Sequence, residues 1–298
     1  MKTTASPLLC WIILMIGVVA TACSFIFIRE STEPPVMLAA WRVLLAVVLL
    51  SPAYLMARHK YGDLPYAQVL RRSLLPGIVL SAHFISWVIG ARLSLGANAT
   101  IIVNLVPLAM PLLLWMMFGE VMQRREWLAT ALAVSGLAVL AVDNLQLSAG
   151  HFLGDSICLL SMFLFALYLA LARHHSQLPS IWLYVVPVYA VAGLTSLLAA
   201  PLFGPVAPTL ENWNLLMVFG LAAVSTVIGH SALNFAMQNM RGQTVGMMML
   251  AQFIVAGVIA YFLYNEVPTV LFYVASALMV SGILMVMLNQ QADHAVAE

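Results

Sequence analysis

The stretch FGEVMQRREWLATALAVSGL (residues 118–137) aligns with YNEVPTVLFYVASALMVSGI (residues 264–283) when the chain is shifted against itself by 146 residues. In this alignment Glu120 matches Glu266, and both stretches carry the same Ser-Gly pair near their ends. Chance similarity between apolar segments is common, but here charged and glycine positions agree at one offset. The stretch therefore predicts an internal repeat.

A second match lies closer to the N-terminus. A shift of about 144 residues aligns Arg29 with Arg173 and Pro35 with Pro179. Because the two offsets are nearly equal, the repeat extends over most of each half of the chain.

The composition identifies the class of protein. Of the 298 residues, 63% are hydrophobic and 8% are charged, and the mean hydropathy is +1.02. A soluble domain carries about 25% charged residues, so these few charges cannot cover a soluble surface of this size. We expect a polytopic membrane protein, whose surroundings are the lipid bilayer. The net charge of +1 and the lack of a dense basic run give no indication of nucleic-acid binding.

A membrane-spanning helix needs about 20 mainly apolar residues. The sequence predicts ten such spans, numbered here in chain order: 8–28, 36–56, 72–92, 97–118, 126–143, 152–173, 181–202, 213–237, 243–263 and 268–288. Predicted helices 5 and 10 share the tripeptide Val-Ser-Gly and alanine-rich faces, so we expect them to pack together.

The basic residues of the loops predict the orientation, because cytoplasmic loops carry an excess of Lys and Arg. Only Arg29 and Arg92 lie on the side opposite the N-terminus. The N-terminal side carries nine: Lys2, Arg58, Lys60, Arg71, Arg72, Arg124, Arg125, Arg173 and Arg241. Both termini are therefore predicted to be cytoplasmic.

Each half of the repeat contains five helices, and five is odd, so the second half enters the membrane from the opposite side. The predicted fold is all-α, with inverted five-helix repeats at 8–143 and 151–288 and a cytoplasmic tail at 289–298. Inverted repeats place a binding site near the bilayer midplane, between the halves.

At this point the chain resembles the EamA-like family of the drug/metabolite transporter superfamily. The resemblance rests on the segments PPVMLAAWRVLLA (34–46), LGANATIIVNLVPLAMPLL (95–113) and NMRGQTVGMMMLAQFIVAGVIAYFLYNEVPT (239–269), together with the repeated stretch above. It implies a multi-pass protein of the bacterial inner membrane that moves amino acids or other small metabolites, often outward. The family often has proline in helix 9 where helix 4 has it. Here Phe253 matches Pro107, so the sequence leaves open whether both halves carry a kink.

Polar side chains inside membrane helices are costly and usually face the bundle interior or a wet cavity. Six predicted helices carry such a face, and the family resemblance implies that the same six line a central cavity. The candidate substrate-binding residues are Thr21, Ser24, His83, Trp87, Asn104, Tyr168, His230, Asn234 and Gln252. The alternative for each residue is a contact that fixes helix packing.

The two mid-span histidines, His83 and His230, occupy nearly matching positions of the repeat. An imidazole titrates near neutral pH, so a substrate site, proton coupling and an interhelical hydrogen bond are all open. Pro107 and Pro111 interrupt the hydrogen-bond ladder of helix 4. They predict either a hinge or backbone carbonyls that are free to bind a ligand.

Arg42 is the one cation placed inside a span, about one turn from the non-cytoplasmic end of helix 2. We expect it to reach the membrane interface or to pair with Glu30 or Glu33, in a structural role. Glu120 and Glu266 lie at helix ends, where a structural role is also expected.

The functional prediction is a secondary-active exporter of a small metabolite such as an amino acid. The first alternative, transport of phosphorylated or nucleotide sugars, needs Lys or Arg at the phosphate, and the six polar faces carry neither. An intramembrane enzyme lacks support, because neither H-E-x-x-H nor G-x-S-x-G occurs. A non-transporting sensor or scaffold stays open. No cofactor or metal site is predicted, and the sequence leaves the oligomeric state open.

Overall fold

The computed structural model describes residues 6–144, 150–174, 178–204, 206, 211–265 and 267–297. These residues form helices joined by short turns, and no strand occurs among them. A chain surrounded by lipid has no water to satisfy its backbone, so the helix, which pairs its own N–H and C=O groups, is the expected element.

The helical segments are numbered in chain order. They are α1 (Pro7–Glu30), α2 (Pro35–Lys60), α3 (Tyr66–Leu93), α4 (96–118), α5 (Arg124–Asn144), α6 (Phe152–His174), α7 (Trp182–Leu202), α8 (Asn212–Asn239), α9 (242–264) and α10 (Val270–Ala297). Within the described ranges, nine are long and apolar enough to cross a membrane. The remaining one is α5, so the count of ten spans stays a prediction.

Local chemistry explains where several helices begin and end. Pro7 and Pro35 each open a helix, a position where proline removes an N–H that would have no partner. Gly119 ends α4 with φ at 65°, and its N–H donates to the carbonyl of Trp115 at 2.8 Å. This left-handed conformation is open to glycine at little cost.

Helices α4 and α9 are each interrupted near their middle. The pieces are Gly96–Val103 and Val106–Phe118 in α4, and Gly242–Met248 and Ala251–Tyr264 in α9. A shift of 146 residues brings the two interruptions to nearly the same position, so both halves carry a matching break in the helix. In α9 it forms with Phe253 at the position of Pro107, so proline is not its cause there.

The strongest packing occurs between the two halves rather than within them. Helix α1 packs against α8, and the matching helices α6 and α3 pack in the same way; α2 packs against α7. Exchanging α1–α5 with α6–α10 therefore reproduces the main contacts. This is the relation expected of a pseudo-two-fold axis.

Ion pairs join helix ends at one end of the bundle. Arg173 contacts Glu120 at 3.0 Å, and Arg241 contacts Glu126 at 2.8 Å. These contacts hold together the ends of α4, α6 and α8 and the start of α5.

A second polar cluster lies at the opposite end. Arg92 donates to the carbonyls of Ser31 at 2.8 Å and Glu33 at 2.7 Å, and the Asn214 amide donates to the Glu33 carboxylate at 3.1 Å. The hydroxyl of Ser94, two residues after Arg92, donates to the carboxylate of Asp155 at the start of α6. The two clusters mark two ends of the bundle, as alternating helices require.

The expected packing of helices 5 and 10 is confirmed, because α5 and α10 form one of the most extensive contacts of the fold. Gly136 and Gly282 lie in this contact at equivalent positions. A Cβ atom on Gly282 would lie 2.6 Å from the carbonyl oxygen of Ala129, and one on Gly136 would lie 2.6 Å from that of Ala275. The close approach of the two backbones thus needs glycine on both sides.

We predict that Gly282→Ala lowers the melting temperature of the detergent-purified protein. The added methyl group meets backbone rather than a flexible side chain, and overpacking of this kind costs about 1–3 kcal/mol. Ser281→Ala is the control, since the exposed Ser281 hydroxyl donates only to Ala277 of its own helix. Equal melting temperatures for the two variants would contradict the close contact.

Candidate functional site

A cavity with about 410 Å³ of empty space, part of it open to its surroundings, lies between the two halves. Its lining residues come from α1, α2, α3, α4, α6, α8 and α9: Thr21, Ser24, Arg42, His83, Phe84, Trp87, Val103, Asn104, Phe165, His230 and Gln252.

Seven of the nine candidate binding residues line this cavity, namely Thr21, Ser24, His83, Trp87, Asn104, His230 and Gln252. Tyr168 and Asn234 lie behind the wall and are fully buried. The Asn234 amide donates to the Tyr168 hydroxyl at 2.5 Å and to the His230 carbonyl at 2.6 Å. These two residues thus support the backbone of a lining histidine instead of facing the cavity.

His83 is held by α6. Its Nδ1 lies 2.9 Å from the Ser161 hydroxyl and 3.0 Å from the Ser161 carbonyl, and its ring stacks on Phe165 with centroids 4.6 Å apart. Nε2 makes no hydrogen bond within the described part of the chain. The ring is therefore fixed through one nitrogen, and the other is available to a ligand.

His230 faces His83 across the cavity, with ring centroids 6.3 Å apart. Phe84 contacts the His230 ring edge-on at 4.9 Å, and Tyr168 lies 6.1 Å from it. Nδ1 of His230 is buried and has no hydrogen-bond partner among the described residues. The two histidines that matched in the repeat are thus neighbours in space.

Arg42 departs from its predicted role. Its side chain is fully buried, its Nε donates to the Thr226 hydroxyl at 3.1 Å, and its guanidinium carbon lies 3.8 Å from the centre of the Phe84 ring. Within the described residues it forms no ion pair with Glu30 or Glu33. The prediction of a snorkelling or ion-paired Arg42 was wrong. The six polar faces carry no Lys or Arg, but α2, which was not counted among them, adds Arg42 to the cavity wall.

Helix α8 contains a π-helical segment, Leu221–His230, that the sequence did not predict. The Thr226 hydroxyl donates to the carbonyl of Leu221, five residues earlier, at 3.0 Å, and Tyr189 donates to the Thr226 carbonyl at 3.3 Å. Wider turns of this kind are frequent at functional sites. This one sets the positions of Thr226, which contacts Arg42, and of His230.

Both prolines of α4, Pro107 and Pro111, are buried, and neither is among the residues that line the cavity. Pro111 has no N–H, so the carbonyl of Pro107, four residues earlier, loses its helical partner. The Gln243 amide of α9 donates to this carbonyl at 3.3 Å and to the Thr130 hydroxyl at 2.9 Å. The carbonyl of Pro107 thus joins α4 to α9 and is not free for a ligand, which was one of the two alternatives that the sequence left open.

The apolar lining residues Phe84 and Val103 were not singled out from the sequence. Apolar residues surround every helix here, so nothing in the pattern separates those facing a cavity from those facing lipid. Arg42 did carry a signal, as a lone cation inside a span. Its helix has no further polar stripe, which is why α2 was not placed at the cavity.

The fold and the cavity define a class, a multi-pass α-helical membrane protein with a polar cavity between two similar halves. Residues 8–142 and 152–288 each match the EamA-like transporter family. The chain therefore belongs to the EamA-like transporter family, as its motifs indicated, and members of this family are membrane transporters.

Comparison with solved structures supports the fold. In all, 29 chains match, and one of them, titled "Crystal structure of protein", has 17% sequence identity and a TM-score of 0.78. The alignment covers 95% of this chain and 98% of that one. A search of curated proteins found no significant match.

We predict an energetic coupling between Tyr168 and Asn234 of about 0.6 kcal/mol, the average for hydrogen bonds between membrane helices. The measurement is a double-mutant cycle on the free energy of unfolding, with Tyr168→Phe, Asn234→Leu and the double variant. Combining each change with the distant Ser281→Ala should give additive effects. Additivity of the Tyr168 and Asn234 changes themselves would contradict the contact.

Proposed function

We propose that the protein is a secondary-active transporter that exports a small metabolite, such as an amino acid, by alternating access around the central cavity. The observation that carries this proposal is the cavity itself, to which both halves contribute polar side chains. Sites between inverted repeats are the usual arrangement in secondary transporters, where one half rocks against the other.

The proposed arrangement in the membrane has ten spans in two inverted repeats, 8–143 and 151–288, with the tail 289–298 and both termini in the cytoplasm of a bacterial inner membrane. The helix α5 supports the tenth span, since it packs along α10. The two polar clusters at opposite ends support the alternating direction of the helices.

The proposed substrate contacts are the seven candidate residues at the cavity wall, with Tyr168 and Asn234 as support behind His230. We place the hinge at the interruption of α4, where Asn104 and Leu105 leave the helix ahead of Pro107 and Pro111. The matching interruption in α9 gives the second half the same means of bending. A proton is the coupling ion to test first, because histidines face each other across the cavity.

We predict that purified protein in liposomes transports one or more amino acids and that His83→Ala lowers the flux roughly fivefold. That factor corresponds to one lost hydrogen bond of about 1 kcal/mol. His59→Ala is the matched control, because the exposed His59 lies at the end of α2, away from the cavity. Absence of flux across amino acids, sugars and amines would contradict the transporter; unchanged flux in His83→Ala would contradict the role of His83.

We predict that labelling of single introduced cysteines will place both termini in the cytoplasm. The starting protein is a variant in which Cys10, Cys23 and Cys158 are replaced. A membrane-impermeant maleimide added to intact cells should label Val206→Cys, in the loop after α7. It should label Lys60→Cys, at the end of α2, only once the membrane is opened. Both positions are exposed, so labelling reports the side of the membrane rather than burial. The reverse pattern would contradict cytoplasmic termini.

A further inference from the structure

Arg42 is a buried cation, and no Asp or Glu pairs with it in the part of the chain that the structure describes. Its Nη1 and Nη2 atoms are buried and have no hydrogen-bond partner in the described part of the chain. No Asp or Glu is among the residues that line the cavity. A buried charge is costly unless it is paired and hydrogen-bonded, so something must repay this cost.

The groups around Arg42 offset only part of the cost of burying its charge. The Phe84 ring supplies a cation–π contact, and the Thr226 hydroxyl accepts one of the five guanidinium N–H bonds. The other titratable residues at the cavity wall, His83 and His230, are neutral or positive and supply no negative charge. Tyr189, behind Thr226, directs its hydroxyl to the Thr226 carbonyl and to Ser231.

We propose that Arg42 binds a carboxylate group of the transported metabolite. The assignment rests on the proposed function, since it places the cargo in the central cavity. With Nε engaged by Thr226, the planar guanidinium keeps its Nη1 and Nη2 donors for the two oxygens of one carboxylate. Both atoms are shielded from solvent in this state, so the ligand gains access as the halves move apart.

One cation matches one carboxylate better than a phosphate. A phosphate monoester carries a charge of about −1.5 to −2 at neutral pH, and Arg42 is the only Lys or Arg at the cavity wall formed by the described residues. The second negative charge of a phosphate would remain unpaired in this site.

The remaining wall indicates what the rest of the ligand is like. The rings of Trp87 and Phe165 offer apolar faces, while Ser24, Asn104 and Gln252 offer neutral acceptors. Small monocarboxylates with an apolar side group, including apolar amino acids, fit this combination.

The experiment compares acids with their neutral amides on the full-length protein in detergent. The probes are L-leucine, L-phenylalanine, their carboxamides and phenyl phosphate, and the readout is the concentration-dependent rise in melting temperature. We expect the two acids to stabilise the protein, and the amides and phenyl phosphate to have little effect. Equal stabilisation by amides, stronger stabilisation by phenyl phosphate, or no effect of either acid would overturn the proposal.

The same titrations on variants test the residue itself. Arg42→Gln should weaken the binding of the acids by about tenfold or more, as expected for a hydrogen-bonded charge, and Arg42→Lys should restore part of it. Arg58→Gln is the matched control and should bind the acids normally. Arg58 lies on the same helix with its guanidinium carbon 3.7 Å from the centre of the Tyr66 ring, but it is outside the cavity.

Unchanged acid binding by Arg42→Gln would overturn the proposal. If that variant does not fold, the comparison of acids with amides on the native protein still tests whether the site requires a carboxylate. Acid binding that depends on Arg42 without flux in liposomes would overturn the transporter and leave the carboxylate site standing. Flux of amines or amides without acid binding would overturn the carboxylate site and leave the transporter standing.

Discussion

The lipid bilayer offers no hydrogen-bond partner to a polar group, and the rest of the structure depends on this constraint. It restricts the spanning chain to helices and makes every polar side chain inside a span seek a partner or a wet cavity. Ser161 forms a hydrogen bond with His83, Thr226 accepts one from Arg42, and Tyr168 accepts one from Asn234. Each of these contacts joins two different helices, so the polar residues also determine which helices are neighbours.

The same constraint explains how the interruptions of α4 and α9 are tolerated. Where a helix breaks, its free backbone groups need partners from a neighbour, and the Gln243 amide meets the carbonyl that Pro111 leaves unpaired. The two interrupted helices therefore contact each other between the two halves. Because the break in α9 forms with Phe253 at the position that matches Pro107, a proline is not required for it.

Close contacts between helices of the two halves surround the cavity. Glycine lets α5 and α10 approach backbone to backbone at Gly136 and Gly282, while the helices that carry the histidines pack across the axis. The histidines, the aromatic rings and Arg42 meet at the centre, where neither half alone would place them. A cavity built from both halves changes shape when the halves move, as alternating access requires.

The sequence by itself determined the membrane class, the helical segments, the repeat and most polar residues of the cavity. Charge, length and the i, i+4 spacing of polar residues are local properties, and His83, His230 and Asn104 could be recognised from them. Tertiary structure decided that Arg42 faces the cavity, that Tyr168 and Asn234 lie behind it, and that α8 widens into a π-helix. The reason is physical: lipid and protein neighbours are equally apolar, so the pattern of an apolar helix does not fix its rotation, and only contacts with the other helices do.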